Sequence, residues 1–245
     1  MGKMAVIIVA AGKSTRFGGK EKKILAKLDG RPMFLRSVEQ FINREDVCQT
    51  LLVIAPEDAE HIKEKFGANL GFMGVKPVIG GPLRCDSVAN GLAAVIPEAE
   101  FVAIHDAARP CVSQEMIDRV SAEARKTNAA ILAAPLRGTI KRAGESLVVD
   151  ETISREGLWE AQTPQVFKRD LIEQAYARRG EFEGEPTDDA QLVERLGHPV
   201  QIVESDFSNL KVTAPGDIAL AQSIIKNRPK GRPKGPLGAF EEAQW

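Results

Sequence analysis

Apolar residues follow two alternating rhythms along the chain. Residues 4–10, "MAVIIVA", form a continuous apolar, β-branched run. That pattern predicts a strand covered on both faces. Pro32 opens a helical stretch with Phe34, Leu35, Val38, Phe41 and Ile42 on one stripe. A second buried strand is expected at 51–55 and a helix near 56–66. A short strand at 77–79 is broken by Gly80-Gly81-Pro82. Asp86 or Ser87 stands near the start of the next helix, which carries Val88, Leu92 and Val95. Strand 101–105, helix 114–126 and strand 129–134 follow. Strands and helices alternating through short connections predict an α/β fold, a mostly parallel sheet with helices on both faces.

The rhythm changes after Pro135. Residues 139–143 and 147–152 are β-type runs separated by Gly144-Glu145-Ser146, so 137–155 reads as a hairpin. It has few large apolar residues. It is therefore expected to be an arm that leans on the domain or on a second subunit. Helices at 169–178 and 188–196, a strand at 200–204 and a helix from Gly216 to about 225 complete one domain, residues 1–226. Residues 227–245 are rich in Pro, Gly, Lys and Arg and are expected to be a flexible basic tail.

Composition narrows the function classes. The chain has 245 residues, a formal net charge of -1, 43% hydrophobic and 27% charged residues, ordinary values for a soluble enzyme. The near-zero charge argues against a protein whose whole body binds nucleic acid, while leaving room for a local basic patch. Cys48, Cys85 and Cys111 show no metal or disulfide spacing. Reduced thiols in a cytoplasmic protein are expected. The run at 4–11 is too short to span a membrane or to serve as a signal peptide.

The stretch "AAGKSTRFGG", residues 10–19, resembles the tail of a P-loop. A P-loop needs a glycine five positions before Gly12, and Ile7 stands there. The G-x-G-x-x-G pattern fails as well. What remains is a small-residue turn, Ala10-Ala11-Gly12, after the first strand of an α/β sheet, where ligands bind. Its amides can hold anionic oxygens, and Arg16, Lys20, Lys22 and Lys23 add positive charge. "GGPLRCDSV" is a second glycine turn, with Gly81, Arg84 and Ser87 as candidates. Arg84 suits a phosphate or the bracing of the loop. In "VAIHDAARP" a buried strand runs into Asp106, Ala107, Ala108 and Arg109. Asp106 there suits sugar hydroxyls or Mg²⁺, or an ion pair with Arg109 that fixes the loop. His105 reads as a packed residue. "ISREGLWEAQTPQVF" places Arg155, Trp159 and Thr163 in a segment too polar for pure core. "PTDDAQLVERLG" reads as a helix cap at Thr187, and "SNLKVTAPGDI" places Lys211 in a short apolar stretch. No Cys/His nucleophile pair or G-x-S-x-G elbow occurs.

In this order, the segments "AAGKSTRFGG" with Lys23, "GGPLRCDSV", "HDAARP", "AAPLRGTIKR", "REGLWEAQTPQVF", "PTDDAQLVE" and "NLKVTAPGDI" resemble the 2-C-methyl-D-erythritol 4-phosphate cytidylyltransferases of the non-mevalonate isoprenoid pathway. The resemblance spans residues 5–221. It implies a Rossmann-like nucleotidyltransferase sheet with a protruding β-hairpin arm. It implies transfer of CMP from CTP to 2-C-methyl-D-erythritol 4-phosphate, giving 4-diphosphocytidyl-2-C-methyl-D-erythritol and pyrophosphate, by in-line attack of the substrate phosphate on the α-phosphorus. Arg16 and Lys23 match the pair that stabilises the pentavalent α-phosphorus. Ala10, Ala11, Gly12, Gly81, Arg84, Ser87, Asp106 and Ala107 match the nucleotide pocket. Asp106 also matches the acid that holds substrate hydroxyls, with Arg109 beside it. Lys211, Thr139, Arg155, Thr163 and Thr187 match residues around the substrate phosphate, some reaching the site from a second subunit through the arm. Of these, Arg16, Lys23, Arg155 and Lys211 carry the catalytic assignment. The resemblance further implies a homodimer and Mg²⁺ or another divalent cation, held mostly by triphosphate oxygens and water. No protein metal ligand is assigned.

The family usually has Pro-Lys-Gln where Lys22-Lys23-Ile24 stands and a glycine at the position of Ser14. Lys20 and Lys22 compete with Lys23, which keeps the family spacing from Arg16. A ribitol 5-phosphate cytidylyltransferase is the nearest alternative. Lys230-Gly231-Arg232-Pro233 resembles part of an AT-hook, a remote reading as a DNA-associated protein. Neither a membrane nor nucleic acid is an expected partner.

Overall fold

The computed structural model describes residues 2–12, 17 and 22–228. Arg16, Lys20 and the tail beyond Arg228 lie outside the described residues, so their assignments have no structural counterpart here.

Eleven strands are present among the described residues: β1 Met4–Val9, β2 Lys27–Leu28, β3 Arg31–Pro32, β4 Val47–Ile54, β5 Val75–Ile79, β6 Phe101–Asp106, β7 Ala129–Pro135, β8 Ile140–Ala143, β9 Val149–Ile153, β10 Trp159–Lys168 and β11 Gln201–Glu204. The α-helices are α1 Met33–Glu39, α2 Ala59–Phe72, α3 Arg84–Leu92, α4 Gln114–Thr127, α5 Arg169–Ala177, α6 Ala190–Arg195 and α7 Gly216–Asn227. Seven strands form the central sheet in the order β11-β7-β10-β6-β1-β4-β5. All neighbours pair in parallel except β10, which runs antiparallel to both β6 and β7.

The alternation of side chains along β1 explains its unbroken apolar run. Met4, Val6 and Ile8 face a core with Phe34 and Val38 of α1, Ile62 of α2 and Ile117 and Val120 of α4. Ile7 faces the opposite core with Val88 of α3, Ile172 of α5 and Leu192 of α6. A strand with helices on both sides has no face left for polar residues. A third cluster joins Leu28, Met33, Val212 and Ala221, so α7 closes the structure beneath the β2–β3 ribbon.

Two boundaries differ from the sequence pattern in an instructive way. Helix α1 ends at Glu39, so Phe41 is buried from the turn beyond it. At α6, Asp188 Oδ1 accepts from Gln191 N at 3.0 Å, so the capping side chain sits one residue after Thr187. Thr187 contributes only its amide, to Gln191 Oε1.

Strand β10 is the central-sheet strand absent from the sequence-based picture, as are the short β2 and β3 outside that sheet. Its buried Gln162, Thr163 and Gln165 look out of place in a central strand. Each is hydrogen-bonded to a neighbouring segment, and Pro164 falls where the β7 register breaks. Strands β8 and β9 form the expected hairpin arm, a separate two-stranded sheet with mostly exposed residues.

Candidate active site

The strand order reverses direction at β1 and β6, because β4 and β5 extend one way and β10, β7 and β11 the other. Such a switch point leaves a crevice beyond the carboxyl ends of the two strands. A cavity of about 360 Å³ lies there. Ala10, Ala11 and Gly12 from the end of β1, Asp106 at the end of β6 and Ala108 from the loop after it, Pro82, Leu83, Arg84 and Ser87 at the entry to α3, and Lys23 and Lys211 line it.

The two strand ends are fixed by backbone bonds: Ala10 N donates to Val53 O at 2.8 Å, and Ala107 N to Val9 O at 3.0 Å. The glycine turn is held by Ser87, whose Oγ accepts from Gly81 N at 3.1 Å and lies 3.1 Å from Leu83 O. A Cβ on Gly81 would stand 2.4 Å from Asp86 Cβ, so only glycine fits against the first turn of α3. Ser87 was expected to meet a nucleotide. Its hydroxyl is already engaged within the turn it stabilises, although the residue borders the cavity.

Asp106 sits between two cations. Lys211 Nζ donates to its Oδ2 at 2.6 Å, and Arg84 Nε to its Oδ1 at 3.2 Å. Lys211 reaches this position because Val212 N donates to Ala108 O at 2.8 Å, tying the late segment to the loop after β6. Burial opposes ionisation of Asp106, but the Arg84 and Lys211 charges outweigh it, and its carboxyl is held far below the usual range. Burial likewise opposes the Arg84 charge. Asp189 and Asp106 overcome that and raise its pKa well above the ordinary value.

Behind Asp106, its amide donates to Thr163 Oγ1 at 3.0 Å, and the Thr163 hydroxyl lies 3.1 Å from His105 Nδ1. The hydroxyl proton then goes to Nδ1, and Nε2–H donates to Arg109 O. Burial lowers His105 to about 4, so it is neutral and packed, as the sequence suggests. Thr163 therefore supports Asp106 from behind the cavity wall. Ala107 is wholly buried. Arg109 is also buried, donating to Asn209 O at 2.7 Å and Ala161 O at 3.3 Å. It does not border the cavity.

Lys22 and Lys23 diverge. Lys22 Nζ lies 2.6 Å from Asp58 Oδ1 and 3.2 Å from Glu57 Oε1, while Lys23 borders the cavity. Thr139, Arg155 and Thr187 are exposed and stand away from the cavity lining of their own chain. Arg155 donates to Arg137 O at the base of the arm.

Asp189 is the residue that motif reading passed over. It is wholly buried and accepts from Arg84 Nη2 at 2.8 Å and from Tyr176 hydroxyl at 2.5 Å. Its only sequence signal was the acidic pair after Thr187, which a plain helix cap explains equally well.

No cluster of three or more His, Cys, Asp or Glu side chains able to hold a metal occurs among the described residues. Among the described residues Asp106 is the one carboxylate bordering the cavity, and both its oxygens are engaged by cations. That donor set suits a cation carried mainly by phosphate oxygens and water rather than by a protein cage.

Comparison with known proteins agrees with this geometry. Residues 4–227 match the family described as IspD, 2-C-methyl-D-erythritol 4-phosphate cytidylyltransferase. A Rhodopirellula baltica protein of that name is 44% identical over 235 residues, covering 91% of this chain and 94% of the relative. One from Alkaliphilus oremlandii is 37% identical over 231 residues, covering 94% of this chain and 98% of the relative. Among solved structures, the 4-diphosphocytidyl-2C-methyl-D-erythritol synthase of Anaerococcus prevotii superposes with a TM-score of 0.77 at 30% identity, covering 92% of this chain and 100% of that one. The 2-C-methyl-D-erythritol 4-phosphate cytidylyltransferase of Thermus thermophilus gives 0.75 at 28% identity, covering 90% of this chain and 98% of that one.

Proposed function

The chain belongs to the 2-C-methyl-D-erythritol 4-phosphate cytidylyltransferase family, and from that premise we propose how its residues carry out the transfer. The enzyme converts CTP and 2-C-methyl-D-erythritol 4-phosphate into 4-diphosphocytidyl-2-C-methyl-D-erythritol and pyrophosphate. The observation that carries the site assignment is the convergence of Arg84 and Lys211 on Asp106, in a cavity that Lys23 also lines, over the small-residue floor at the switch point.

In the proposed reaction an oxygen of the substrate phosphate attacks the α-phosphorus of CTP in line. That oxygen is already ionised near neutral pH, so the step needs no strong base. Negative charge builds on the α-phosphoryl oxygens and on the departing pyrophosphate. Catalysis is then positioning and charge stabilisation. Ala10, Ala11 and Gly12 let the nucleotide approach the backbone, while Gly81 shapes the turn that carries Pro82, Leu83 and Arg84 to the cavity. Lys23 meets the α-phosphoryl charge, in concert with Arg16. Lys211 orients the incoming phosphate, and Asp106 accepts from substrate hydroxyls. Mg²⁺ or a similar cation would neutralise triphosphate charge when bound, with Asp106 as the carboxylate within its reach.

The arm supports a homodimer. Leu147, Val148 and Val149 are 85%, 64% and 54% exposed, more apolar surface than a lone hairpin is expected to leave to water. Thr139 and Arg155 lie at the arm, away from their own chain's cavity, so in this reading they serve the partner's site. Three free cysteines suit a reducing compartment such as the cytoplasm. Among the described residues no helix is long and apolar enough to cross a membrane.

Pyrophosphate release tests the substrate pair. Purified protein with Mg²⁺ is offered each NTP with methylerythritol phosphate or ribitol 5-phosphate. Release with CTP and methylerythritol phosphate is expected, and a preference for ribitol phosphate would overturn the substrate assignment.

A further inference from the structure

Asp189 does not border the cavity, yet a wholly buried carboxylate is costly unless it is paired. Its bonds are all accounted for. Oδ2 accepts from Arg84 Nη2 at 2.8 Å, and Oδ1 accepts from the Tyr176 hydroxyl at 2.5 Å. The turn carrying it is pinned to the central sheet. Gln165 Oε1, on β10, accepts from the amides of Asp189 at 3.2 Å and Ala190 at 3.0 Å, while Gln165 Nε2 donates to Asp188 Oδ2 at 2.7 Å. Tyr176 arrives from α5 and is itself buried. Thus β10, α5 and the entry to α6 converge on one guanidinium that leaves α3 and crosses to Asp106.

We propose that Asp189, backed by Tyr176 and Gln165, is a positioning residue for nucleotidyl transfer, holding Arg84 across the cavity and, through Arg84, fixing Asp106. The proposal rests on assigning this cavity to the nucleotide and the polyol phosphate. With Nε on Asp106 and Nη2 shared between Asp106 and Asp189, the guanidinium cannot swing to follow a ligand. A ligand oxygen has to meet it in the plane in which it is already held. The rotamer freedom of a long side chain is given up during folding, before CTP arrives, which is how pre-organised groups gain over mobile ones. A filler of the same volume would pack equally well at position 189, but only an anion holds the fork.

A double-mutant cycle tests this with Asp189→Asn and Arg84→Ala, alone and together. Asparagine keeps the volume and an acceptor for Tyr176 but removes the charge that binds Arg84. kcat/KM for CTP is measured at saturating methylerythritol phosphate, with thermal melts alongside. Asp189→Asn is expected to lower kcat/KM on the order of tenfold to a hundredfold, the span of couplings between contacting charged groups. In the Arg84→Ala background the same change should cost less than about twofold, the scatter seen for independent sites. An equal loss in both backgrounds, or no loss in either, overturns the proposal, because a purely structural aspartate acts without Arg84. If Asp189→Asn does not fold, Tyr176→Phe replaces it in the cycle. A loss confined to the Arg84 background supports the proposal, and equal losses or none overturn it. A wild-type protein without CTP-dependent turnover would overturn the cavity assignment and the proposal with it. An additive cycle on an active wild type overturns the proposal alone.

Discussion

The ammonium groups of Lys22 and Lys23 are chain neighbours with different surroundings. Lys22 is held by Asp58 and Glu57 at the start of the segment leading to α2, and those carboxylates raise its pKa against the lowering effect of burial. Lys23 borders the cavity floor. Lys23→Ala is therefore expected to reduce kcat by a factor on the order of 10²–10³, the usual loss for a transition-state donor. Lys22→Ala should mainly loosen the loop, with a smaller loss. Pyrophosphate release by the two variants checks this, and the reverse order would move the catalytic assignment by one residue. The sequence supports choosing Lys23 by its spacing from Arg16, yet contains no hint that Lys22 has an acidic partner 36 positions away. Arg84 behaves similarly. Its motif marks it as a bracing or phosphate-binding residue, and it braces two carboxylates at once.

Elements differ in how far local pattern specifies them. β1, the second half of β4 and the first four residues of β6 are readable because helices cover both faces and leave an apolar run; the first half of β4, with Gln49 and Thr50, escapes that pattern. β10 is not readable, because its buried polar side chains serve as acceptors and donors for segments that meet it only in three dimensions. The arm is readable as a hairpin and as an element without a core. Replacing β8 and β9 by a short turn should leave the fold intact by far-ultraviolet circular dichroism, since the arm forms its own sheet, and lower the thermal midpoint by the contribution of the lost subunit contacts. The shortened protein should be monomeric by sedimentation velocity. Its turnover should fall on the order of a hundredfold, the size of loss that misplaced substrate-positioning groups produce. A dimer that survives the deletion would remove the arm from the interface.

For the whole molecule, His105 is a built-in source of acid sensitivity. Burial lowers it from 6.5 to about 4 in the folded protein, despite the opposing charge of Asp106 and with Arg109 close by. An unfolded chain takes up its proton first, so stability is complete above pH 6.5 and declines as the pH falls towards 4. The integrated loss is about 3 kcal/mol. Asp106 and Asp46, held below the ordinary carboxylate value, add their losses only at lower pH. Denaturant midpoints between pH 7 and 4 should show the decline in the wild type and a flatter profile in His105→Gln; a flat wild-type profile would refute a neutral, buried His105. The sequence by itself determined the alternation of strands and helices, the small-residue strand ends and the family motifs, because burial periodicity and turn chemistry are local. Tertiary structure decided where β10 inserts and which charges meet. Lys211 and Asp106 are 105 residues apart in the chain, as are Arg84 and Asp189. Contacts at that separation are set by how the sheet is ordered, which no local pattern encodes.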